Sequence, residues 1–382
     1  MRIGIDMRMA GTGEGIARYA EELTTHLAEI DTKNEYYLLV DKTSGFAAKL
    51  KILLPRRTRL GRENAKFKTI FVGSPYYSWA EQTKFIWELA RLKLDLTHFP
   101  SFNVPLFYPG KFVVTIHDVI HHHFPGKKKS RFFHRLAYRL AIYSAARRAR
   151  RVIAVSQATK NEIAKTLGVS PAKIQVIYEG INKKFYEPAP AERLAAVKQK
   201  YAIRKPYLLF VGVWRQYKNL PRLAQAFDIL KGRYQQDFQL VLAGKIDPFY
   251  PEIKEAVLSR SSASDIKALG FVPDEDLGAL YQGATALVLP SLMEGFGLIG
   301  AEAQAVGVPV VASDIPVLRE ILGEGARYFN PLQPEEMAKQ IHSVLTDQGV
   351  RERLIKTGQA NVAKYNWQTT AQETLKIYQE FS

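Results

Sequence analysis

Leu289-Pro290-Ser291-Leu292-Met293-Glu294-Gly295-Phe296-Gly297-Leu298-Ile299-Gly300-Ala301-Glu302-Ala303, continuing into Gly307-Val308-Pro309-Val310-Val311-Ala312-Ser313, reads as a buried strand, a glycine-bearing loop, a helix and a second buried strand. The spacing starts the helix at about Phe296. Such a turn presents the backbone N–H groups of Gly295, Phe296, Gly297 and Leu298 to an anion, and the glycines let a phosphate come close. Glu294 before the helix and Glu302 two turns into it offer carboxylates to sugar hydroxyls, one for a donor sugar and the other for a ribose. On these residues alone a second reading stays open, in which the turn is an ordinary strand-to-helix connection and Glu302 a solvated helix residue.

Outward from this segment, short runs rich in Val, Ile and Leu alternate with helix-length amphipathic stretches, the pattern of parallel strands joined by crossover helices. The first half predicts strands at Ile3–Met7, Tyr36–Val40, Thr69–Val72, Leu96–Phe99, Phe112–Ile116, Val152–Val155 and Ile174–Tyr178. The second predicts Tyr207–Val211, Phe238–Leu242, Ile266–Leu269, Thr285–Leu289, Pro309–Ala312 and Ala326–Phe329. Between the series, Pro188 and Pro190 interrupt any continuous helix or central strand. The expected division is 1–183, with a C-terminal helix 366–382 crossing back to it, and 184–365. The expected class is α/β: two doubly wound sheets facing across a cleft, with ligands at the carboxyl ends of their strands.

The segment 289–313 resembles the signature of the family 4 retaining glycosyltransferases: a Glu, seven residues, a second Glu, then an apolar strand with Gly-x-Pro-Val. The resemblance implies the GT-B architecture of two Rossmann-like domains. It also implies retaining transfer of a hexose from a nucleoside diphosphate sugar to a glycan or lipid-linked acceptor, with mannose and GDP-mannose favoured. Tyr207 to Leu220 resembles the family's first C-domain strand and turn, which places Lys218 on the donor diphosphate. Val213 stands where many relatives carry Arg, and Arg215 is its expected replacement. Leu269-Gly270-Phe271-Val272-Pro273 resembles the loop that frames the nucleobase through backbone groups around Val272. Val113-Val114-Thr115-Ile116-His117-Asp118 resembles a motif whose His lies beside the donor sugar. In the resembling family the first glycine-rich loop crosses the cleft mouth, which implies that Gly13 and Gly15 pass close to the diphosphate or acceptor, and Glu179 stands where relatives often have Asn. His117, Glu294, Arg215 and Lys218 are the expected catalytic set.

Composition narrows the rest. A chain of 382 residues is long enough for two cores, and its net charge of +17 calls for an anionic partner. The absence of cysteine removes disulfides, thiolate metal sites and cysteine nucleophiles. No apolar run reaches the length of a bilayer span, so a cytoplasmic protein, peripheral on the inner face of the membrane, is expected. Charge concentrates in two stretches, 49–68 and 127–151, and no Asp or Glu occurs from Val119 to Asn161. Arg131, Arg135 and Arg139 form one helical stripe beside Phe132, Leu136, Leu140 and Tyr143, as an interfacial helix on an anionic membrane requires. The apolar stripe fits core packing equally well.

Asp274-Glu275-Asp276 has the spacing of an Asp-x-Asp metal motif, but it follows Pro273 at a helix start, where acids favour the dipole. The adjacent His121, His122 and His123 are poorly placed to converge on one ion. No metal or cofactor is expected. Gly11, Gly13 and Gly15 miss the dinucleotide spacing. No nucleic-acid module is evident, so a nucleic-acid-binding protein is the distant alternative and an epimerase of related fold the near one.

Overall fold

The computed structural model describes residues 1–11, 15–42, 66–127 and 132–382; Gly13, Lys128, Lys129, Arg131 and most of the stretch 49–68 lie outside them. The chain forms two compact units. The first comprises Met1–His122, Lys129–Gly180 and Tyr365–Ser382, and the second His123–Lys128 and Ile181–Lys364.

The first unit is built on a sheet of β1 (Arg2–Asp6), β2 (Glu35–Asp41), β3 (Phe67–Val72), β4 (Leu96–Phe99), β5 (Phe112–Ile116), β6 (Arg151–Ala154) and β7 (Ile174–Val176). Its order is β3-β2-β1-β4-β5-β6-β7 and every pairing is parallel. The second carries β8 (Tyr207–Val211), β9 (Gln239–Ala243), β10 (Ile266–Gly270), β11 (Ala286–Leu289), β12 (Val310–Ser313) and β13 (Ala326–Phe329) in the order β10-β9-β8-β11-β12-β13, again all parallel. Both are doubly wound orders, with switch points at β1/β4 and β8/β11.

The strands read as unbroken apolar runs because helices cover both faces of each sheet. In β8, Tyr207, Leu208, Leu209 and Phe210 are all fully buried. Helix ends follow local chemistry. Ser156 caps Gln157–Leu167 by accepting from the Thr159 amide, and Gly168, at φ +61°, ends that helix in the left-handed region. Asn366 caps Trp367–Gln379 through Thr369 N. This last helix belongs to the first unit: buried Trp367, Ala371, Ile377 and Tyr378 join Ile3, Ile5, Tyr19 and Leu23 in one apolar cluster. Tyr378 Oη lies 2.6 Å from His98 Nδ1.

Candidate active site

At the β8/β11 switch point of the second unit, the loops leaving the two strands are stitched together. The first passes through the short turn Gln216–Lys218 into the helix Leu220–Gly232, with Asn219 between them in the left-handed conformation at φ +57°. Asn219 Nδ2 donates to the carbonyls of Pro290 (3.0 Å) and Pro331 (2.7 Å), and Leu292 N donates to Tyr217 O (2.7 Å). These bonds bring Lys218 and Glu294 together. Lys218 Nζ donates to Glu294 Oε1 at 2.6 Å, and Ser291 Oγ donates to the same oxygen at 2.6 Å. Both charged side chains are only about an eighth exposed. Glu294 Oε2 accepts no bond from a described residue, so half of the carboxylate remains for a hydroxyl.

The helix expected from Phe296 runs Leu298–Val306, two residues later than its spacing suggests. Gly297 precedes it at φ +84°, a left-handed conformation that closes the loop before helical hydrogen bonding begins. A Cβ on Gly297 would lie 2.6 Å from Leu318 Cδ2, so a side chain there is strained by its left-handed backbone and must also displace the end of Leu318. Gly295 and Phe296 are buried in the preceding loop. Glu302 is not a solvated helix residue: it is 1% exposed and accepts from Tyr281 Oη at 3.0 Å.

Three glycines shape the carboxyl edge beside the pair. Gly212 and Gly244 follow β8 and β9, and Gly270 ends β10, with φ +153°, +143° and +69°. Gly212 N donates to Ala243 O and Gly244 N to Gly270 O, so the loops run side by side. That course places Asp247 at 3.3 Å from Arg215 Nε, and Arg215 is more than a third exposed. Val272 is nearly buried beyond β10. Asp274 pairs with Lys184, while buried Asp276 accepts from Arg193, Lys200 and Tyr201. Burial opposes ionisation of Asp276, but the bonds and charge of Lys200 outweigh it and hold its carboxyl below the usual range. Among the described residues no group of His, Asp and Glu is placed to hold a metal ion.

In the first unit, β5 delivers His117 to its carboxyl end, where both ring nitrogens face acceptors. Nδ1 lies 2.9 Å from Glu179 Oε1 and Nε2 3.0 Å from Pro100 O, while Tyr19 packs edge-on at 4.8 Å. Two acceptors require two N–H donors, so this geometry selects the imidazolium. Burial opposes that charge; the bond and charge of Glu179, with the Pro100 carbonyl, outweigh it and raise His117 above its ordinary 6.5. The pairing therefore contributes stability that is complete below pH 6.5 and is lost as pH climbs through the raised value. Glu179→Gln is expected to cost about 1.5–3 kcal/mol in that acidic window. Thermal unfolding of both proteins across pH checks this: the gap must narrow as pH rises, and a constant gap contradicts the imidazolium assignment. Gly15 is the first residue of the helix Gly15–Ile30.

Sequence reasoning passed over Asn219, Tyr281, Ser291, Asp247 and Gly244. It also missed a buried cluster after β1, where the Arg8 guanidinium bridges Asp6 and Glu81, and Asn103 donates to Glu81. The one available sign was Asp6-Met7-Arg8 directly after the first strand, with two charges where core packing begins.

Residues 13–185 match the family Glycosyltransferase Family 4, and residues 195–361 match Glycosyl transferases group 1. The O-antigen chain mannosyltransferase B of Escherichia coli is 28% identical over 297 residues, 76% of this chain and 76% of that protein. The serotype-specific mannosyltransferase WbdA of Escherichia coli is 30% identical over 278 residues, 71% of this chain but 33% of WbdA; the chain spans about a third of that relative. In fold, it resembles the crystal structure of Anabaena Alr3699/HepE in complex with UDP-glucose, with a TM-score of 0.76, 18% identity and all of both chains covered. Each sheet-bearing unit thus matches its own half of one enzyme family, and the chain belongs to the family 4, group 1 glycosyltransferases.

Proposed function

We propose that this glycosyltransferase moves a hexose, with mannose the first candidate, from a nucleoside diphosphate donor to a glycan or lipid-linked acceptor with retention of anomeric configuration. The observation that carries the donor assignment is the Lys218–Glu294 pair, set beside the amino end of the helix Leu298–Val306 at the β8/β11 switch point. Cations and the amino end of a helix suit a diphosphate whose charge grows as it leaves. Lys218 and Arg215 stabilise that charge, and Glu294 Oε2 takes a sugar hydroxyl. Gly295, Phe296, Gly297 and Leu298 line the phosphate side, Val272 the base and Glu302 the ribose; Gly13 and Gly15 keep the role implied by their motif. His117 orients the sugar by exchanging its neutral partner, the Pro100 carbonyl, for a sugar hydroxyl while keeping Glu179. The leaving diphosphate takes the acceptor proton in a front-face displacement.

The mannosyltransferases among the relatives support mannose, and GDP-mannose is the donor to try first. An acceptor at a membrane surface is favoured by the helix Phe132–Arg148. Leu136 and Leu140 are 42% and 52% exposed on it, beside exposed Arg135 and Arg139. Those two leucines are outside the core, which supports the interfacial reading for their part of the stripe, while Tyr143 donates to Thr166 O within the unit. Among the described residues no helix is long and apolar enough to cross a membrane.

The phosphate partners are amides and side-chain cations, so activity is expected to survive EDTA. Nucleoside diphosphate sugars are offered with candidate acceptors, with and without chelator, and products are read by mass spectrometry and anomeric NMR. No transfer from any such donor overturns the reading; loss on chelation with rescue by Mg²⁺ or Mn²⁺ overturns its metal-independent part.

A further inference from the structure

The amino edge of the first unit's sheet lies opposite the edge that carries His117 and Ser156. Lys111, Arg150 and Lys173 immediately precede β5, β6 and β7, and parallel pairing sets these three strand starts side by side. Arg147 and Arg148 come from the last turn of the helix Phe132–Arg148. The five cations line a cavity of about 490 Å³ to which no Asp or Glu contributes.

Basic residues at a helix carboxyl end often do no more than cap it. One of the five does that here, and a second is spent on a neighbouring loop. Lys173 Nζ donates to Arg147 O, and the Arg148 guanidinium donates to the carbonyls of Pro105, Leu106 and Tyr108. Lys111, Arg147 and Arg150 have no such duty: none forms an ion pair with a described carboxylate, and Arg147 lies over the Tyr143 ring at 5.5 Å. Carbonyls neutralise no charge, so five positive groups face one cavity and repel one another. Burial, followed by the charge of Arg150, holds Lys173 below its ordinary value, which fits that crowding.

We propose that this cavity is a phosphate-binding site, distinct from the donor site, which takes a phosphate monoester or diphosphate through Lys111, Arg147 and Arg150. Arginine forks bind phosphate oxygens in pairs, and a lysine adds a point charge. The ligand is either a soluble phosphate compound or a lipid headgroup. Phe107, 78% exposed and adjoining Tyr108 of the cavity wall, offers an apolar contact that only the second would use.

The test compares the full-length chain with the Lys111→Ala/Arg147→Ala/Arg150→Ala variant and, as a donor-site control, with Lys218→Ala. Inorganic pyrophosphate and glycerol 1-phosphate are titrated calorimetrically, and co-sedimentation is measured with phosphatidylcholine vesicles with and without phosphatidylglycerol. The triple variant is expected to bind at least one probe class about tenfold more weakly, as befits lost charged contacts, while Lys218→Ala retains that binding event. Loss confined to vesicles assigns the site to a lipid headgroup, and loss confined to soluble probes assigns it to a free phosphate compound. Wild-type binding of every probe by the triple variant, or no binding event in wild type beyond the one that Lys218→Ala removes, overturns the proposal. The three side chains are exposed, so the fold should survive; if it does not, Arg147→Lys/Arg150→Lys keeps the charge and must still weaken binding.

Discussion

Lys218→Ala is expected to lower kcat/KM by about 10²–10³-fold, the usual cost of removing a preorganised donor aimed at developing charge. The loss has two sources. The leaving diphosphate loses its cation, and Glu294 loses the ammonium 2.6 Å from its Oε1 while remaining largely shielded from water. Glu294→Ala also breaks the pair, so the double variant should lose much less than the product of the two single losses. Arg215→Ala, on a more exposed side chain already bonded to Asp247, should cost roughly tenfold. Steady-state kinetics on protein of matched folded fraction decide the matter. If Lys218→Ala lowers only the melting temperature, and turnover per folded molecule stays at the wild-type value, the pair is a structural clamp and the donor assignment fails.

Gly244→Ala is expected to destabilise the second unit by about 3 kcal/mol or more, through overpacking and backbone strain together. A Cβ there would sit 2.0 Å from Gly212 O, and the site needs φ +143°. The neighbour is backbone, which has no rotamer to change. Relief requires the β8 loop to move, and that loop leads to Arg215 and Lys218, so residual activity should fall further than stability alone dictates. Gly232→Ala is the matched control: its Cβ meets nothing within 4 Å at the end of a helix. Thermal unfolding should show a fall of roughly 10 °C for the first and little change for the second. Similar melting temperatures for both would contradict the close approach of the loops.

Much of this architecture was legible because strands covered on both faces announce themselves as apolar runs. Leu96–Phe99, Phe112–Ile116 and Ala326–Phe329 have the bounds their sequence suggests. Helix starts were less legible. Composition places glycine in the 294–297 loop, but it does not say which glycine turns left-handed, and Gly297 does so.

The site was legible as residue types and illegible as partnerships. Lys218 and Glu294 were assigned to phosphate and sugar as though independent, yet they are 76 positions apart in sequence and 2.6 Å apart in space. His117 and Glu179 tell the same story across 62 positions. Glu179 first stood out only as a departure from the family's Asn, and the contact turns that departure into a counter-charge. Local periodicity carries no information about such pairs, because they depend on which strand ends the topology makes neighbours.

The helix Trp367–Gln379 sets the order in which the molecule can be completed during synthesis. Trp367, Ala371, Ile377 and Tyr378 fill the same apolar cluster as Ile3, Ile5 and Tyr19, although the stretch Ile181–Lys364 is made in between. A ribosome delivers residues in sequence, and domains ordinarily close in that order. Here the earlier-made sheet must wait with an open flank until the final helix emerges, while nearly all of the second unit is already available to fold. The nascent chain thus carries an unfinished hydrophobic surface while residues Ile181–Lys364 are made, which leaves the first unit exposed to misassociation over that interval.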